Sequence, residues 1–372
     1  MEHIETVIIG AGQAGLSTAY HLKQQGRDCV VLDRHQRIGD GWRQQWDSLR
    51  LYSPAKYDGL PGMPFPGESW SFPGKDDLAD YLESYAAGWE IPVRLGVRVS
   101  RVSPAGDPAE GSGFVVDTDT GRLTCDNVVL ATGTFGRTPS VPSFAQDLDP
   151  SILQLHSSEY RRPGQLRDGA VLVVGASHSG TDIAYEVAAT RSTTLAGRDC
   201  GEIPVRLESR RMKVVFPVLL FLWRHLITRR TPIGRKEFGH IRFHGGPMLR
   251  VKRSDLAERG VVRTEERVTG VHDGIPVLAD GSTVDVANVV WATGFRQDFG
   301  WVDLPVFGDD GWPREYRGVC DDVPGLFFCG LSFQYSFSSM LVGGCGRDAA
   351  YVARRIASRA PRRSERRERE AA

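Results

Sequence analysis

The sequence has few cysteines, and none of them stands in the spacing that redox or metal chemistry needs. Its 372 residues include six cysteines, scattered with no C-x-x-C pair and no metal-ligand pattern. A dithiol redox centre and a zinc site are therefore not indicated. We expect these thiols to be buried or inert, and no metal is predicted.

The chain also lacks an excess of charge of either sign. It contains 46 Lys and Arg residues against 46 Asp and Glu residues, so its formal net charge is +0. This balance gives no electrostatic reason to expect nucleic acid or an acidic membrane as a partner. With 41% hydrophobic and 25% charged residues, the composition is that of an ordinary globular protein. Small molecules are the expected partners.

We expect no signal peptide before the first predicted strand, and the one dense apolar run is short. The run VVFPVLLFLW, residues 214–223, is far below the roughly 20 residues that a spanning helix needs. We expect a helix that packs on the protein or lines a substrate entrance, with shallow membrane contact or a homodimer interface as alternatives. The expected location is cytoplasmic. The basic residues that flank the run are Arg210, Arg211, Lys213, Arg224, Arg229 and Arg230.

What the chain does have is one nucleotide-binding pattern in two copies. In the first, the strand TVIIG leads into the turn GAGQAG, the helix LSTAYHLKQQG and the strand CVVLD. Gly10 permits a tight bend, Gly12 lets the backbone approach a pyrophosphate, and Gly15 lets helix and strand pack closely. Asp33 stands where a carboxylate can accept hydrogen bonds from the ribose hydroxyls of an adenosine. The residues predicted to bind this first cofactor are Gly10, Gly12, Gln13, Ala14, Gly15 and Asp33.

The second copy, residues 170–198, differs at two positions. The interval from turn to strand end is 23 residues in both copies (33 − 10 and 198 − 175). Ser177 replaces the middle glycine; it is small enough to permit phosphate approach and adds a hydrogen-bond donor. Arg198 replaces the acid, and a guanidinium there suits a 2′-phosphate, with a solvated surface arginine as the alternative. The residues predicted to bind this second cofactor are Gly175, Ser177, His178, Ser179, Gly180 and Arg198.

Two dinucleotides in one chain imply electron transfer between them. A nicotinamide delivers hydride, and the natural bound acceptor with an ADP half is FAD. Arg198 favours NADPH over NADH. The predicted cofactors are therefore FAD and NADPH.

A second repeated element closes each half of the chain. CDNVVLATG (125–133) and VANVVWATG (286–294) are apolar strands that end in Ala-Thr-Gly, and each follows a hairpin-like stretch with a turn at 119–121 or 280–281. The predicted fold class is α/β with two Rossmann-like dinucleotide-binding domains, and the C-terminal part returns to complete the first. We assign residues 1–160 and 290–372 to the FAD domain. The inserted NADPH domain takes residues 161–289 and carries an apolar, basic insertion around 205–250, and the charged tail, 362–372, is expected to fray or be disordered.

These motifs together resemble the flavin-containing monooxygenases, and most closely the branch of the plant YUCCA enzymes and their short bacterial relatives. The resemblance extends to about residue 356. It implies that NADPH reduces FAD, that O₂ then forms a flavin hydroperoxide, and that oxygen passes to a small hydrophobic or aromatic molecule at nitrogen, sulfur or a keto-acid carbonyl. It rests on GAGQAG, IGDGWRQQWDSLRLYSP (38–54), LPGMPFP (60–66), HSSEY (156–160), GASHSG and the two ATG strands.

The resemblance also assigns roles to residues outside the two turns. It implies that Asp33 and Arg34 hold the FAD adenosine and that Gly41, Trp42 and the segment from Leu49 to Ser53 lie against the flavin. Core packing is the alternative for Trp42. The ATG residues are implied to be hinges close to cofactor, and the segment 325–356 to place backbone N–H groups at the flavin. These further positions are Ala131, Thr132, Gly133, Ala292, Thr293, Gly294 and Gly330.

The sequence departs from the family pattern at two places. HSSEY keeps His156 and Tyr160, but Pro150 and Ile152 replace the phenylalanine and glycine of the fingerprint. Tyr160 in place of tryptophan indicates heteroatom oxygenation or the YUCCA-type reaction and not Baeyer–Villiger chemistry. His156 is a candidate catalytic residue, with a hydrogen-bonded linker histidine as the alternative.

The second departure concerns the asparagine that supports the oxygenated flavin in many relatives. Ser53, Pro54 and Lys56 stand at the matching place, so Ser53 and Lys56 join His156 as candidates for catalysis. A flavin dehydrogenase or oxidase without oxygen transfer fits the same motifs, as does a non-catalytic regulator that binds NADPH and FAD. The aromatic residues of 201–250 indicate a hydrophobic substrate pocket or simply core; they are Phe216, Phe221, Trp223, Phe238 and Phe243.

Overall fold

A computed structural model of the protein describes residues 1–107, 112–133 and 138–359. The charged tail at 362–372 lies outside the described residues. The strands are β1 (Glu2–Ile9), β2 (Cys29–Leu32), β3 (Val93–Arg94), β4 (Val99–Pro104), β5 (Phe114–Thr118), β6 (Gly121–Leu130), β7 (Thr138–Pro139), β8 (Leu153–His156), β9 (Val171–Val174), β10 (Thr193–Ala196), β11 (Val262–Thr264), β12 (Val268–His272), β13 (Ile275–Leu278), β14 (Asn288–Trp291), β15 (Phe295–Arg296) and β16 (Leu326–Phe328).

The α-helices lie mostly between these strands. They are α1 (Gln13–Gln24), α2 (Asp40–Arg43), α3 (Lys75–Gly88), α4 (His178–Val187), α5 (Met212–His225), α6 (Pro232–Phe243), α7 (Arg253–Glu258) and α8 (Cys345–Ala357). Short 3₁₀ helices lie at Ala55–Tyr57, Ser143–Asp147, Pro163–Gln165, Phe337–Met340 and Val342–Gly344. Both predicted βαβ units are therefore confirmed, as β1-α1-β2 and β9-α4-β10.

The first sheet has seven strands in the order β3-β2-β1-β6-β5-β4, with β16 also on β6. β1 pairs in parallel with both β2 and β6, and Val7 and Ile8 of β1 are fully buried on opposite faces. Apolar side chains on both faces explain why such strands lie in the centre of a parallel sheet. β16 pairs in parallel with the last residues of β6, so the predicted return of the C-terminal part to the first sheet is confirmed.

The second sheet is parallel throughout, in the order β11-β10-β9-β14-β8. β8 lies within the range 1–160 that was assigned to the FAD domain, yet it pairs with β14 of this second sheet. The second sheet therefore starts before the boundary predicted at residue 161. The rest of the predicted division into domains stays a prediction.

One of the two predicted hairpin turns joins a pair of antiparallel strands, and the other does not. β5 and β6 are antiparallel and meet at residues 119–120, as predicted. In the second half, the hairpin of β12 and β13 turns earlier, at Asp273 and Gly274. The predicted turn at 280–281 leads only to an isolated bridge between Val277 and Thr283.

The insertion between β10 and α7 carries α5 and α6 and is held to the C-terminal part by a buried ion-pair cluster. Glu315 has a fully buried side chain and contacts the guanidinium groups of Arg229 (2.6 Å) and Arg242 (3.0 Å). Burial lowers the pKa of Arg242 to about 10 in spite of Glu315. Removing one partner of such a cluster costs roughly 3–5 kcal/mol, because a charge is left buried and unpaired. The described residues contain no helix with the length and apolarity to cross a bilayer.

Candidate functional site

The first glycine turn is held open by close packing against the end of β6. Gly10 has φ +111°, and a Cβ there would lie 2.6 Å from the carbonyl oxygen of Ala131. A Cβ on Gly15 would lie 1.9 Å from the oxygen of Gly10 and 3.3 Å from the Cβ of Ala131. Only glycine fits at both positions, and the alanine of the ATG element is what both glycines approach.

The second turn repeats these contacts almost atom for atom. Gly175 has φ +108°, and its added Cβ would lie 2.3 Å from the carbonyl oxygen of Ala292. On Gly180 it would lie 1.7 Å from the oxygen of Gly175 and 3.1 Å from the Cβ of Ala292. The two copies therefore share one packing arrangement, which explains why ATG follows both strands.

The first turn has room for a phosphate group, and the carboxylate of Asp33 lies beside it. A Cβ on Gly12 would meet nothing within 4 Å, so the backbone at the start of α1 is accessible. Asp33 accepts hydrogen bonds from the N–H groups of Ala11 (2.6 Å) and His35 (2.8 Å) and lies 2.8 Å from Nδ1 of His35. Burial raises the pKa of Asp33, but these hydrogen bonds outweigh it, and the pKa falls below its usual value. Asp33 is thus an ionised acceptor at the end of β2, with Arg34 exposed beside it.

The second turn is covered by the insertion. The hydroxyl of Ser177 donates to the carbonyl of Gly246 at 2.9 Å, and a Cβ on Gly245 would lie 2.7 Å from the Cβ of Ser177. The donor that Ser177 was expected to offer a phosphate is therefore used within the chain. His178 is also covered: burial lowers its pKa to about 4, its Nε2 has no hydrogen-bond partner among the described residues, and Gly246 lies against its ring.

Arg198 stands beyond the end of β10, where a 2′-phosphate was predicted. Its side chain is exposed, and no described residue forms a hydrogen bond or ion pair with its guanidinium. Arg263 on the neighbouring β11 instead donates to the carbonyl oxygens of Gly197 (2.5 Å) and Leu195 (3.2 Å). Arg198 is therefore available to a ligand at this strand end.

The segment that follows β2 approaches the first turn. Nε1 of Trp42 donates to the side-chain oxygen of Gln13 at 3.4 Å, and Trp42 packs against the cores of both sheets. Leu49 is buried in the core of the second sheet. Gly41 is exposed near His35. Gly330, which has φ +88°, packs against α1, because a Cβ added to it would lie 2.7 Å from the Cβ of Ala14. The structure thus brings together the first turn, residues 41–53 and the C-terminal segment.

A buried acid that the sequence analysis missed lies next to Ser53. The hydroxyl of Ser53 donates to Oδ1 of Asp58 at 2.5 Å, while Oδ2 has no partner among the described residues. Asp58 is only 1% exposed, and burial raises its pKa to about 7 against the hydrogen bond from Ser53. Nothing in the sequence distinguishes Asp58 from a surface acid, because its burial depends on the closely packed backbone of Gly343.

A second missed group joins the same segment to the second nucleotide fold. The hydroxyl of Tyr52 donates to Oδ2 of Asp182 on α4 at 3.1 Å, and Arg250 lies 3.1 Å from that oxygen. Burial raises the pKa of Asp182 to about 6, although Arg250 opposes this. The ring of Tyr52 also lies 5.2 Å from that of His178. The position of Asp182 four residues after His178 on one helix face was the only sequence signal for this cluster.

The other two candidates for catalysis have separate surroundings. Nδ1 of His156 accepts from the N–H of Ser158 (3.2 Å), so Nε2 donates to the carbonyl of Gly294 (3.0 Å). Burial lowers the pKa of His156, and this geometry favours the alternative of a hydrogen-bonded linker histidine. Lys56 is exposed, with its ammonium 5.7 Å from the ring of Tyr57 and 5.8 Å from that of Trp70.

The two crossings between the sheets run side by side. β7 and β15 form a two-stranded antiparallel ribbon; β15 begins immediately after the second ATG element, and β7 begins at Thr138, after the first. Gly133 and Gly294 have φ +76° and +78°, and the hydroxyl of Thr293 donates to the carbonyl of Ser140. Thr132 precedes Gly133 in the corresponding place. This geometry suits the predicted hinge, which stays a prediction.

An open pocket of about 320 Å³ is lined by the two chain neighbours of Asp58, Tyr57 and Gly59, but not by Asp58 itself. Residues from the segment 56–64 line one side of it, and α5 and Gly343 line the other. Its lining is more polar than apolar: Leu60, Met63 and Leu220 are the apolar side chains, and Lys56 and Arg224 add two cations. None of the five aromatic residues predicted to shape a pocket lines this one: Phe221 and Phe243 are exposed, and Phe216 is buried core, which was the alternative.

Comparisons with known proteins agree with this arrangement. Residues 7–202 match the family model described as pyridine nucleotide-disulphide oxidoreductase. The chain is 36% identical to an uncharacterized CzcO-like oxidoreductase of Geobacillus kaustophilus, over 95% of this chain and 98% of that one. It is 28% identical to the probable indole-3-pyruvate monooxygenase YUCCA3 of Arabidopsis thaliana, over 95% and 86%. A solved flavin-containing monooxygenase from Stenotrophomonas maltophilia is 25% identical with a TM-score of 0.73, over 96% of this chain and 99% of that one.

Proposed function

Because this chain belongs to the pyridine nucleotide-disulphide oxidoreductase family and to its flavin monooxygenase branch, we propose that it oxygenates a small apolar or aromatic molecule with electrons from NADPH. It is a flavin-dependent monooxygenase, and FAD and NADP are its cofactors. Bound FAD supplies the two-electron redox chemistry and the reaction with O₂. The twin glycine turns, with residues 41–58 in contact with both nucleotide folds, carry the proposal.

The residues of the first fold bind and shield the flavin nucleotide in this account. Gly12 leaves the start of α1 open, where the pyrophosphate would bind, and Asp33 would accept hydrogen bonds from the ribose hydroxyls. Trp42, which packs against the cores of both sheets, would exclude water from the flavin. Oδ2 of Asp58 is buried with no partner among the described residues, and it is the atom next to Ser53 that could hold a proton.

The preference for NADPH rests on Arg198. An exposed guanidinium at the end of β10, with no partner in the described part of the chain, suits a 2′-phosphate, which NADH lacks. Binding at the second turn requires residues 245–246 to move away from Ser177, because they now lie on the turn. The hydrogen bond from Tyr52 to Asp182 would keep the segment 41–58 beside this turn when residues 245–246 move.

The pocket supports a substrate that combines an apolar body with an acidic group. Leu60, Met63 and Leu220 would contact the apolar part, and Lys56 and Arg224 would attract a carboxylate. An aromatic keto acid has this chemistry, and one relative is described as a probable indole-3-pyruvate monooxygenase. Heteroatom-containing aromatic molecules are the second class that the apolar walls accept.

The experiment that tests this function measures oxygen transfer. Holoprotein is incubated with NADPH and candidate aromatic keto acids, amines and sulfides under isotopically labelled O₂, and both product and hydrogen peroxide are quantified. A monooxygenase incorporates label into product, with NADPH oxidation stimulated by substrate. If every candidate leaves NADPH oxidation unchanged and all consumed O₂ appears as hydrogen peroxide, the protein is an oxidase and the proposal is wrong.

A further inference from the structure

The outer face of α5 is an exposed apolar stripe. Val214, Val218 and Phe221 are 71%, 56% and 58% exposed, and their spacing places them on one side of the helix. Of the ten large hydrophobic residues that are exposed in the described part of the chain, six lie between residues 214 and 243. We call these six residues the insertion patch; they are Val214, Val218, Phe221, Leu226, Ile233 and Phe243. Isolated exposed hydrophobic residues are common, but three of them on one face of a helix, with three more in the same insertion, indicate an interaction site.

The inner face of the same helix is already packed. Met212 and Phe216 are buried, and the ring of Phe216 lies 5.1 Å from that of Tyr57. Leu220 lines the pocket beside the segment 56–64. The insertion patch is therefore a second apolar face that the fold of this chain does not need for its own core.

The charge around α5 is of one sign, and Glu237 is the single acidic residue in the sequence span of the patch, 214–243. Between residues 209 and 236 the sequence has no acidic residue and eight basic residues, although the whole chain has a net charge of +0. Most of these cations are exposed. The eight residues are Arg210, Arg211, Lys213, Arg224, Arg229, Arg230, Arg235 and Lys236.

A patch of this composition fits an anionic surface better than a second copy of itself. An isologous dimer would bring two sets of like charges against each other, which is unfavourable. An anionic lipid surface instead attracts the cations while the apolar stripe enters the headgroup boundary. α5 has 14 residues, about 21 Å at 1.5 Å per residue, so it can lie in the interface but cannot cross the bilayer.

We propose that the insertion patch is a binding site for anionic membrane surfaces, through which the enzyme docks peripherally with α5 parallel to the bilayer. The apolar residues of α5 supply the burial, and the basic residues on either side supply the attraction. Binding therefore needs both parts: it falls when salt screens the cations and also when the stripe is made polar.

The test is sedimentation of the FAD-loaded full-length protein with vesicles. The probes are phosphatidylcholine vesicles with and without phosphatidylglycerol. We expect binding to the mixed vesicles only, and we expect it to weaken as salt is raised. The double variant V218S/F221S should bind about tenfold more weakly or worse, because it loses two apolar side chains that would enter the bilayer. Val262→Ser is the matched control, since Val262 is 59% exposed on β11 outside the patch and its loss should change nothing.

Flavin absorbance and circular dichroism confirm that each variant is folded. The proposal is wrong if the protein ignores phosphatidylglycerol, if it binds phosphatidylcholine equally well, or if V218S/F221S binds like the parent. Sedimentation velocity without vesicles tests whether a second copy of the chain covers the insertion patch instead. A concentration-dependent dimer that V218S/F221S abolishes would assign the patch to a second copy of the chain and overturn the proposal.

Discussion

Substitutions at two glycines of the first turn should separate its contribution to stability from its contribution to FAD binding. Gly15→Ala puts a Cβ 1.9 Å from the oxygen of Gly10, so we expect a loss of stability of roughly 1–3 kcal/mol or more in the apoprotein. Gly12→Ala meets nothing in the chain and should leave that stability almost unchanged, but it should weaken FAD binding because the Cβ stands where the pyrophosphate approaches. Thermal unfolding of apoprotein and titration with FAD measure the two effects. Equal destabilisation by both variants would contradict the prediction.

The buried acid Asp58 makes stability depend on pH in a defined direction. Its pKa is about 7 in the folded protein against 3.8 for an ordinary aspartate, so the folded state holds the proton more tightly. The contribution of the protonated Asp58 to the free energy of unfolding is complete below about pH 4, and it is lost as pH rises through about 7. Asp58→Asn should therefore gain stability relative to the parent across this range, by up to roughly 4 kcal/mol in apoprotein.

Denaturant unfolding of the apoprotein at several pH values measures this difference. Ser53→Ala provides the companion test. Ser53→Ala removes the hydrogen bond that lowers the pKa of Asp58. The pH range over which Asp58 loses its proton and the protein loses stability should therefore move upward. A stability difference between Asp58→Asn and the parent that does not change with pH would count against a buried, protonated acid.

The exposed guanidinium of Arg198 should decide between the two nicotinamide nucleotides. We expect Arg198→Ala to raise KM for NADPH about 10- to 100-fold, because a charge-assisted contact to the 2′-phosphate is lost. KM for NADH should stay within about twofold, which makes NADH the internal control. Steady-state NADPH and NADH oxidation measures this, and an equal rise for both would show that Arg198 does not read the 2′-phosphate.

At the scale of elements, the loop that ends the insertion should respond to the nicotinamide cofactor. The carbonyl of Gly246 accepts from Ser177, and Gly245 crowds that side chain. We therefore expect NADP⁺ to increase hydrogen exchange in residues 244–250 while it protects the turn at 175–180. Exchange measured by mass spectrometry, with β4 and β5 as a distant reference, tests this. Increased protection of the loop together with the turn would mean that the loop stays on the nucleotide.

Local sequence predicted those elements whose signals are local. The βαβ units around Gly10 and Gly175 follow from a glycine pattern between an apolar strand and a helix, and both are present. β8 was misassigned because nothing near His156 shows which sheet its strand joins. The pairing of β7 with β15 was not predicted either, since two-residue strands have no periodic pattern and their partners lie far away in the chain.

The same limit applies to the site. Asp33, Trp42 and Arg198 could be selected because a known spacing or motif marks them. Asp58 and Asp182 could not, because a carboxylate among 46 acidic residues becomes distinctive only when other segments bury it. The cover over Ser177 was equally hidden, since it comes from residues almost 70 positions later.

At the scale of the whole molecule, two nucleotide folds share one packing arrangement and are joined by paired crossings and by the contact between Tyr52 and Asp182. The central claim is that this arrangement lets a nicotinamide on the second fold reduce a flavin on the first. Anaerobic mixing of holoprotein with NADPH tests it most directly. The account predicts that one equivalent of NADPH bleaches the visible absorbance of the flavin and that Arg198→Ala slows this at limiting NADPH. An oxidised flavin spectrum that persists in excess NADPH would contradict it.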